Sequence, residues 1–407
     1  MKEAYFDRFG YFDRFIENDA LNWDLSIVIP AYAEKMNEAL FSALINCVEH
    51  HNVGVIWVVN YAAHAPQEYK VLSDEFRQHL RKRIHESNVE NSMFILYLPD
   101  LLKKKSGVGI ARKAGMDESI HHIKDDGIIA CLDADCRISE NYAENIIDHF
   151  KRSNAWATSI DYAHDIDLEK DPVLRSAAIE YELHLRYFIQ MQRRLQLPFA
   201  FHTIGSSMAV RGSTYIKMGG MNTRKAGEDF YFLQKHITYG YVDECHSTCI
   251  IPSCRTSFRV PFGTGKAIGD MISDEVQHFM TYHPECFDTV HILFNPDFWY
   301  NENQSDALEL WEAFLENVSW HTKIEEIRKN TSGAEAFRKR FYSHADAFML
   351  MKALHYLRDK WKKNIPVRQA VRHAFPSLSD STTAEMLERF RHMQKNSQWD
   401  RKNNRWI

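Results

Sequence analysis

Ile128-Ile129-Ala130-Cys131-Leu132-Asp133-Ala134-Asp135 is an apolar run that ends in two carboxylates. Its five apolar residues read as a buried strand. Three earlier runs have the same character: Leu25 to Pro30 (LSIVIP), Val53 to Asn60 (VGVIWVVN) and Met93 to Leu98 (MFILYL). Segments with helical periodicity separate them, at Lys35 to His51, Gln67 to Glu86 and Ile110 to Ile123. Strands alternating with helices at this spacing predict an α/β fold, a mainly parallel sheet covered on both faces.

In such sheets ligands bind at the carboxyl ends of the strands, which is where Asp133 and Asp135 stand. Two carboxylates at i, i+2 in a turn can face one pocket, and they repel unless a cation lies between them. Hard oxygen ligands suit Mg²⁺ or Mn²⁺, and such an ion bridges to phosphate oxygens. A capped turn before a helix is the plainer reading of the same three residues.

Further along, Ala155 to Asp161 reads as a strand and Pro172 to Leu195 as a long helix. Thr203 to Arg211 reads as a strand leading into a short helix. After Phe279 the pattern is mostly helical and rich in aromatic and basic residues. Residues 1–24 read as an N-terminal helical extension on Tyr5, Phe6, Phe9, Phe12, Phe15 and Ile16. A boundary is expected near residue 275, leaving 25–275 as the main domain and 276–407 as a helical C-terminal region.

Composition narrows the function class. The chain has 407 residues, 45% apolar and 26% charged, with a net charge of −5. That balance describes a globular protein and gives no case for a nucleic-acid partner. From Lys323 onward there are 19 Lys and Arg against 9 Asp and Glu. With Trp361, Trp399 and Trp406, this basic region suits peripheral contact with anionic lipid or a polyanionic acceptor, or simply solvated helix faces over an aromatic core. No run is long and apolar enough to span a bilayer. Seven cysteines without a regular framework point to a reducing, cytoplasmic setting, with any membrane contact peripheral to the inner face. Cys245, His246, Cys249 and Cys254 cluster without standard zinc spacing.

Four segments together resemble family 2 glycosyltransferases of the GT-A (Rossmann-like) fold, over about residues 25 to 265. Ser26-Ile27-Val28-Ile29-Pro30-Ala31-Tyr32-Ala33-Glu34 resembles their opening strand, and Gly107 to Gly115 (GVGIARKAG) their nucleotide-side helix. Asp133-Ala134-Asp135 matches their metal motif. Gly219-Gly220-Met221-Asn222 followed by Gly227-Glu228-Asp229 is similar to their acceptor-side motif. The resemblance implies an inverting enzyme of polysaccharide or glycoconjugate synthesis. Its donor would be a nucleotide-diphosphate sugar, its acceptor a glycan or lipid-linked hydroxyl, and its metal Mn²⁺ or Mg²⁺. Pro30, Ala31, Tyr32 and Glu34 would line the base and ribose pocket, with Asn60 where the family often has an Asp that reads the base. Arg112 would reach the nucleotide. Asp133 would contact ribose or sugar, and Asp135 would be the direct metal ligand. Asp229 would be the general base, with Glu228 supporting it or binding acceptor. Ala33 and Asn60 depart from the family pattern. An amide both donates and accepts, so a guanosine donor stays open beside uridine.

Two further readings come from the residues themselves. A carboxylate can take the proton of a sugar hydroxyl as the new bond forms, which suits Asp229; acids at a helix start also simply cap it. Arg255 and Arg259, within Cys254 to Lys266 (CRTSFRVPFGTGK), suit recognition of a diphosphate or acceptor by a flap. A nucleotidyltransferase that makes the sugar nucleotide is a competing class, but it would need a Gly-rich basic loop where Ala31 to Glu34 stand. A non-catalytic nucleotide-sugar-binding protein is another, with little use for Glu228-Asp229.

Overall fold

A computed structural model describes residues 2–18, 21–103, 106–257, 263–273, 278–301 and 306–407. The chain forms two compact units, residues 1–175 with 201–269, and residues 176–200 with 270–407.

In the first unit, the helix α1 (Lys2–Phe9) precedes β1 (Trp23–Ala31), α2 (Glu38–His50), β2 (Val53–Ala62), α3 (Gln67–Glu86), β3 (Met93–Leu101), α4 (Val108–His122) and β4 (Ile123–Cys131). There follow β5 (Arg137–Ile138), α5 (Tyr142–Arg152), β6 (Ala157–Tyr162) and the first residues of α6 (Pro172–Arg194). The unit resumes with β7 (Met208–Arg211), α7 (Gly212–Lys217), α8 (Glu228–Tyr239) and β8 (Val242–Ile251), and ends within α9 (Thr264–Ser273).

One eight-stranded sheet runs β3-β2-β1-β4-β7-β6-β8-β5. β1 pairs in parallel with β2, Leu25 to Ala31 facing Val53 to Val59, and in parallel with β4 on its other side. β7 lies antiparallel to both β4 and β6, and β8 runs parallel to β6. Every residue of β2 is buried, as expected of a parallel strand covered on both faces. This is the mainly parallel, helix-flanked sheet that the GT-A resemblance implies. The chain winds outward from β1 through β2 to β3, then returns to β1's other side as β4. That reversal makes the carboxyl ends of β1 and β4 a topological switch point, where a crevice opens in α/β sheets.

α4 departs from the usual amphipathic surface helix. Thirteen of its fifteen residues are buried, among them Arg112, Lys113, Asp117 and Glu118. Each charge has a partner. Lys113 Nζ is 2.9 Å from Asp117, whose Oδ1 also accepts the hydroxyls of Tyr5 and Tyr215 at 2.7 and 2.6 Å. Glu118 accepts the backbone N–H groups of Phe15 and Ile16 and bonds His122. The helix expected over residues 1–24 therefore stops at Phe9. Residues 15 and 16 spend their N–H groups on Glu118 instead of on an internal helical ladder.

The second unit takes most of α6 and adds β9 (Met280–Thr281), α10 (Pro284–Val290), α11 (Pro296–Tyr300), α12 (Glu312–Asn317), α13 (Trp320–Lys329) and α14 (Ala334–Phe341). It continues through α15 (Ala347–Lys360), β10 (Ile365–Pro366), α16 (Val367–Ala374), α17 (Thr383–Lys395), β11 (Trp399–Asp400) and β12 (Arg405–Trp406). The expected helical C-terminal region is thus present, but it is built on residues 176–200 as well. Within it Glu182 is fully buried and is shared by Arg186 at 2.7 Å and Arg391 at 2.8 Å. Of the three C-terminal tryptophans, Trp406 is buried and donates its indole N–H to Leu197, while Trp361 stays exposed. No described helix is long and apolar enough to cross a membrane.

Candidate functional site

The turn after β4 is fixed from three directions. Leu132 N–H donates to Val28 O across the sheet at 3.0 Å. Cys136 N–H closes back on Asp133 O at 3.1 Å. Asn37, the N-cap of α2, donates its amide to Cys136 O at 2.8 Å. Asp133 and Asp135 are thus held at the switch point with side chains 41% and 30% exposed.

Each carboxylate meets an arginine. Arg112, 4% exposed, donates Nη2–H to Asp133 Oδ1 at 2.6 Å and Nη1–H to Glu228, which is 2% exposed. Arg255 donates Nε–H to Asp135 Oδ2 at 2.8 Å and Nη2–H to both oxygens of Glu34, at 2.9 and 2.7 Å. Burial works against the charge of Arg112, but Asp133 and Glu228 outweigh it and hold its pKa above the ordinary value. Burial raises the carboxyl of Asp133; Arg112 opposes this, while the charges of Asp135 and Asp229 add to it. Burial likewise raises Glu228, against Arg112. Arg255 is raised too, its two carboxylates overcoming desolvation.

Two glycines permit this packing. A Cβ on Gly205 would lie 2.3 Å from Arg112 Nη1, so the guanidinium lies directly against the chain at Gly205. A Cβ on Gly109 would lie 2.1 Å from Arg224 O. The loop that leads to Glu228 can therefore pass directly over the start of α4. Asn222 then donates its amide to Glu228 O at 2.8 Å.

Asp229 is the second residue of α8, half-buried, with Oδ1 accepting Phe230 N–H at 2.8 Å. Its charge acts on Arg112, Asp133 and Glu228 alike. Glu34, Arg112, Asp133, Asp135, Glu228, Asp229 and Arg255 therefore share one neighbourhood. Arg259 lies outside the described residues.

Four of the expected site residues are buried. Arg112 donates from Nη1 and Nη2 to Glu228 and Asp133, so in this structure those two groups face acids of the site. Glu228 is its buried counter-ion, which fits support and leaves no surface for an acceptor. Asn60, 4% exposed on β2, and Ala31, 1% exposed on β1, offer little surface to a base. Pro30, Tyr32 and Glu34 are half-buried along the rim, where the ring of Tyr32 meets that of Tyr69 edge-on. Sequence reading did not find Asn37 or Gly205; a polar residue before α2 and a Gly-Ser-Ser run were their only traces, while Asn222 stood in the quoted Gly-Gly-Met-Asn run without a role of its own. Cys245 and Cys249 lie on β8, opposite Ile160 and Asp161, with residues 246–248 looped out between them.

Asp133 and Asp135 carry carboxylate oxygens of the kind a hard divalent cation takes, and the guanidinium of Arg255 occupies that place on Asp135 in this structure. Asp135 and Asp133 would hold that cation.

No protein-family profile matches the chain, and no curated protein matches it in sequence. In three dimensions it is similar to Staphylococcus aureus TarS 1–349 in complex with UDP-GlcNAc, with a TM-score of 0.41 at 10% identity over 78% of this chain and 89% of that one. It is also similar to GalNAc-T7 with UDP, GalNAc and Mn²⁺, with a TM-score of 0.37 at 13% identity over 84% of this chain and 59% of that one. A mycobacterial protein gives 0.35 at 10% identity over 64% and 79%.

Proposed function

We propose that the chain is a glycosyltransferase that moves a sugar from a UDP- or GDP-sugar to a hydroxyl of a glycan or lipid-linked acceptor, with inversion at the anomeric carbon. The observation that carries this reading is the gathering of Asp133, Glu228 and Asp229 around Arg112, with Asp135 beside Asp133 and on Arg255, at the switch point of the sheet. These acids and the two arginines suit a diphosphate on one side and a hydroxyl nucleophile on the other.

Asp229 takes the acceptor's proton as its oxygen attacks the anomeric carbon. The bond from that carbon to the diphosphate breaks in the same displacement. Arg255 sits on a loop that can transfer from Asp135 and Glu34 to the leaving diphosphate, where a guanidinium forks onto phosphate oxygens. Asp135 and Asp133 would hold a divalent ion, Mn²⁺ or Mg²⁺, which would neutralise charge on the same leaving group. Arg112, pinned by Glu228, keeps Asp133 oriented. Exposed Trp361 beside Lys360, Lys362 and Lys363 supports peripheral contact with an anionic lipid surface.

The test is D229N, assayed with a panel of UDP- and GDP-sugars in Mn²⁺. Transfer should fall about a hundredfold or more, the range of general-base contributions. Nucleotide binding, read by thermal shift, should stay within a factor of two or so, because Asp229 is assigned to the acceptor and makes no hydrogen bond to Asp133 or Asp135 among those described. Near-normal transfer by D229N removes the general-base assignment.

A further inference from the structure

Among the described residues, one grouping of three metal-ligating side chains has mutually close ligand atoms, and it lies in the second unit. His283, Glu285 and His373 each offer an atom within 4.8 Å of the others. His283 and Glu285 flank the start of α10, and His373 stands in the last turn of α16, ninety residues away in sequence. We infer that these three side chains bind a zinc ion independently of the acidic site at the switch point.

The geometry is specific to each ligand. The rings of His283 and His373 meet edge to face, with centroids 5.2 Å apart. Glu285 uses its two oxygens differently. Oε1 faces His283 Nδ1 across 3.9 Å, and Oε2 takes Lys362 Nζ at 3.1 Å. Lys362 therefore stands as an outer partner that aims the carboxylate, the arrangement common behind metal-binding carboxylates. Two imidazoles and one carboxylate form a borderline set that selects Zn²⁺ or Co²⁺ over Mg²⁺ or Ca²⁺. Ligand bonds of about 2.0–2.2 Å need these atoms to close to roughly 3.3 Å. Side-chain rotation supplies that, since His373 is exposed and Glu285 half-buried. The carbonyl end of α16 carries the negative pole of its dipole, which favours a cation there. Three protein ligands leave a fourth position for water, and the bound ion would tie α10 to α16.

The experiment uses the full chain in a D135N background, which silences the acidic site, stripped of metal and titrated with zinc chloride by calorimetry. Co²⁺ serves as a spectroscopic probe, because four-coordinate Co²⁺ shows intense visible bands. H373Q and E285Q each remove one ligand at or near the surface, so both should fold; H291Q, an exposed histidine outside the cluster, is the control. One equivalent of Zn²⁺ should bind the parent and H291Q, with the Kd raised at least tenfold in H373Q and E285Q and the Co²⁺ bands lost. Equal Zn²⁺ affinity in all four proteins, or no binding by the parent at 100 μM metal, overturns the site. Neither result bears on Asp229 or sugar transfer.

Discussion

Replacing Glu228 by Gln leaves Arg112 buried with one charged partner instead of two. The guanidinium is 4% exposed, so its charge cannot turn to water when Glu228 is neutralised. Breaking a buried pair by removing one partner costs about 3–5 kcal/mol. Asp133 remains at 2.6 Å, and burial and the charges of Asp229 and Asp133 already disfavour the ionised Glu228, which places E228Q at the lower end, at about 3 kcal/mol. D133N removes the other partner, but that carboxylate is 41% exposed and solvent screens it. Because Arg112 itself stays buried, the cost there falls between the exposed-pair and buried-pair ranges, at about 1 kcal/mol. Neutralising Asp133 also relieves its repulsion with Asp135 and Asp229, which lowers the cost again. The two variants are isosteric amides on the same arginine, yet they should differ by about 2 kcal/mol. Hydrogen exchange of peptides spanning residues 108–122 reads the opening free energy of α4 directly. Protection there should fall far more in E228Q than in D133N. Equal losses, or the reverse order, would refute the view that burial of Glu228 is what holds Arg112.

G205A places a Cβ 2.3 Å from Arg112 Nη1, and the displaced guanidinium should cost about 1–3 kcal/mol by the same exchange measurement. R255A removes the cation that competes for Asp135 and Glu34, so Mn²⁺ affinity measured by electron paramagnetic resonance should rise severalfold, roughly what an exposed pair of up to about 1 kcal/mol allows, while affinity for a nucleoside diphosphate falls. His149 donates to Asp243 at 2.9 Å; burial opposes its charge, but Asp243 and Cys245 raise its pKa to about 10. A raised folded pKa stabilises fully below the unfolded value near 6.5 and loses that contribution as pH climbs through about 10. The stability gap between the parent and H149Q should therefore be widest at pH 6 and narrow steadily toward pH 10 in urea unfolding.

The parallel half of the sheet was legible because its strands are buried on both faces and read as unbroken apolar runs. Gln67–Glu86 was legible to the residue, its Phe76, Leu80 and Ile84 falling on one buried face. β8 was not. Val242–Ile251 contains Asp243, Glu244, His246, Ser247 and Thr248, and the looped-out residues 246–248 break its two-residue period. The acidic pair and Asp229 could be named from their position after a strand and at a helix start. What could not be read was which arginine serves which acid. Arg112 meets a glutamate 116 residues later, and Arg255 meets one 221 residues earlier. Sequence spacing carries no trace of such pairings until the chain has folded. Burial of α4 was equally hidden, since its run of charges imitates a solvated face.

α6 has consequences for how this protein is made. Glu182 waits for Arg391, which lies 209 positions downstream. At translation rates of roughly 5–20 residues per second, that wait is roughly 10–40 s. All residues of the first unit have been synthesised once residue 269 is added, well before α17 exists. Throughout that interval Glu182, fully buried in the finished protein, has Arg186 of its own helix but not Arg391, and Tyr187 lacks its partners Tyr282 and Phe287 until those residues are made. An expression boundary drawn near residue 275 would make that state permanent. A fragment meant to isolate the sheet should instead excise residues 176–200 and bridge the gap with a short polar linker.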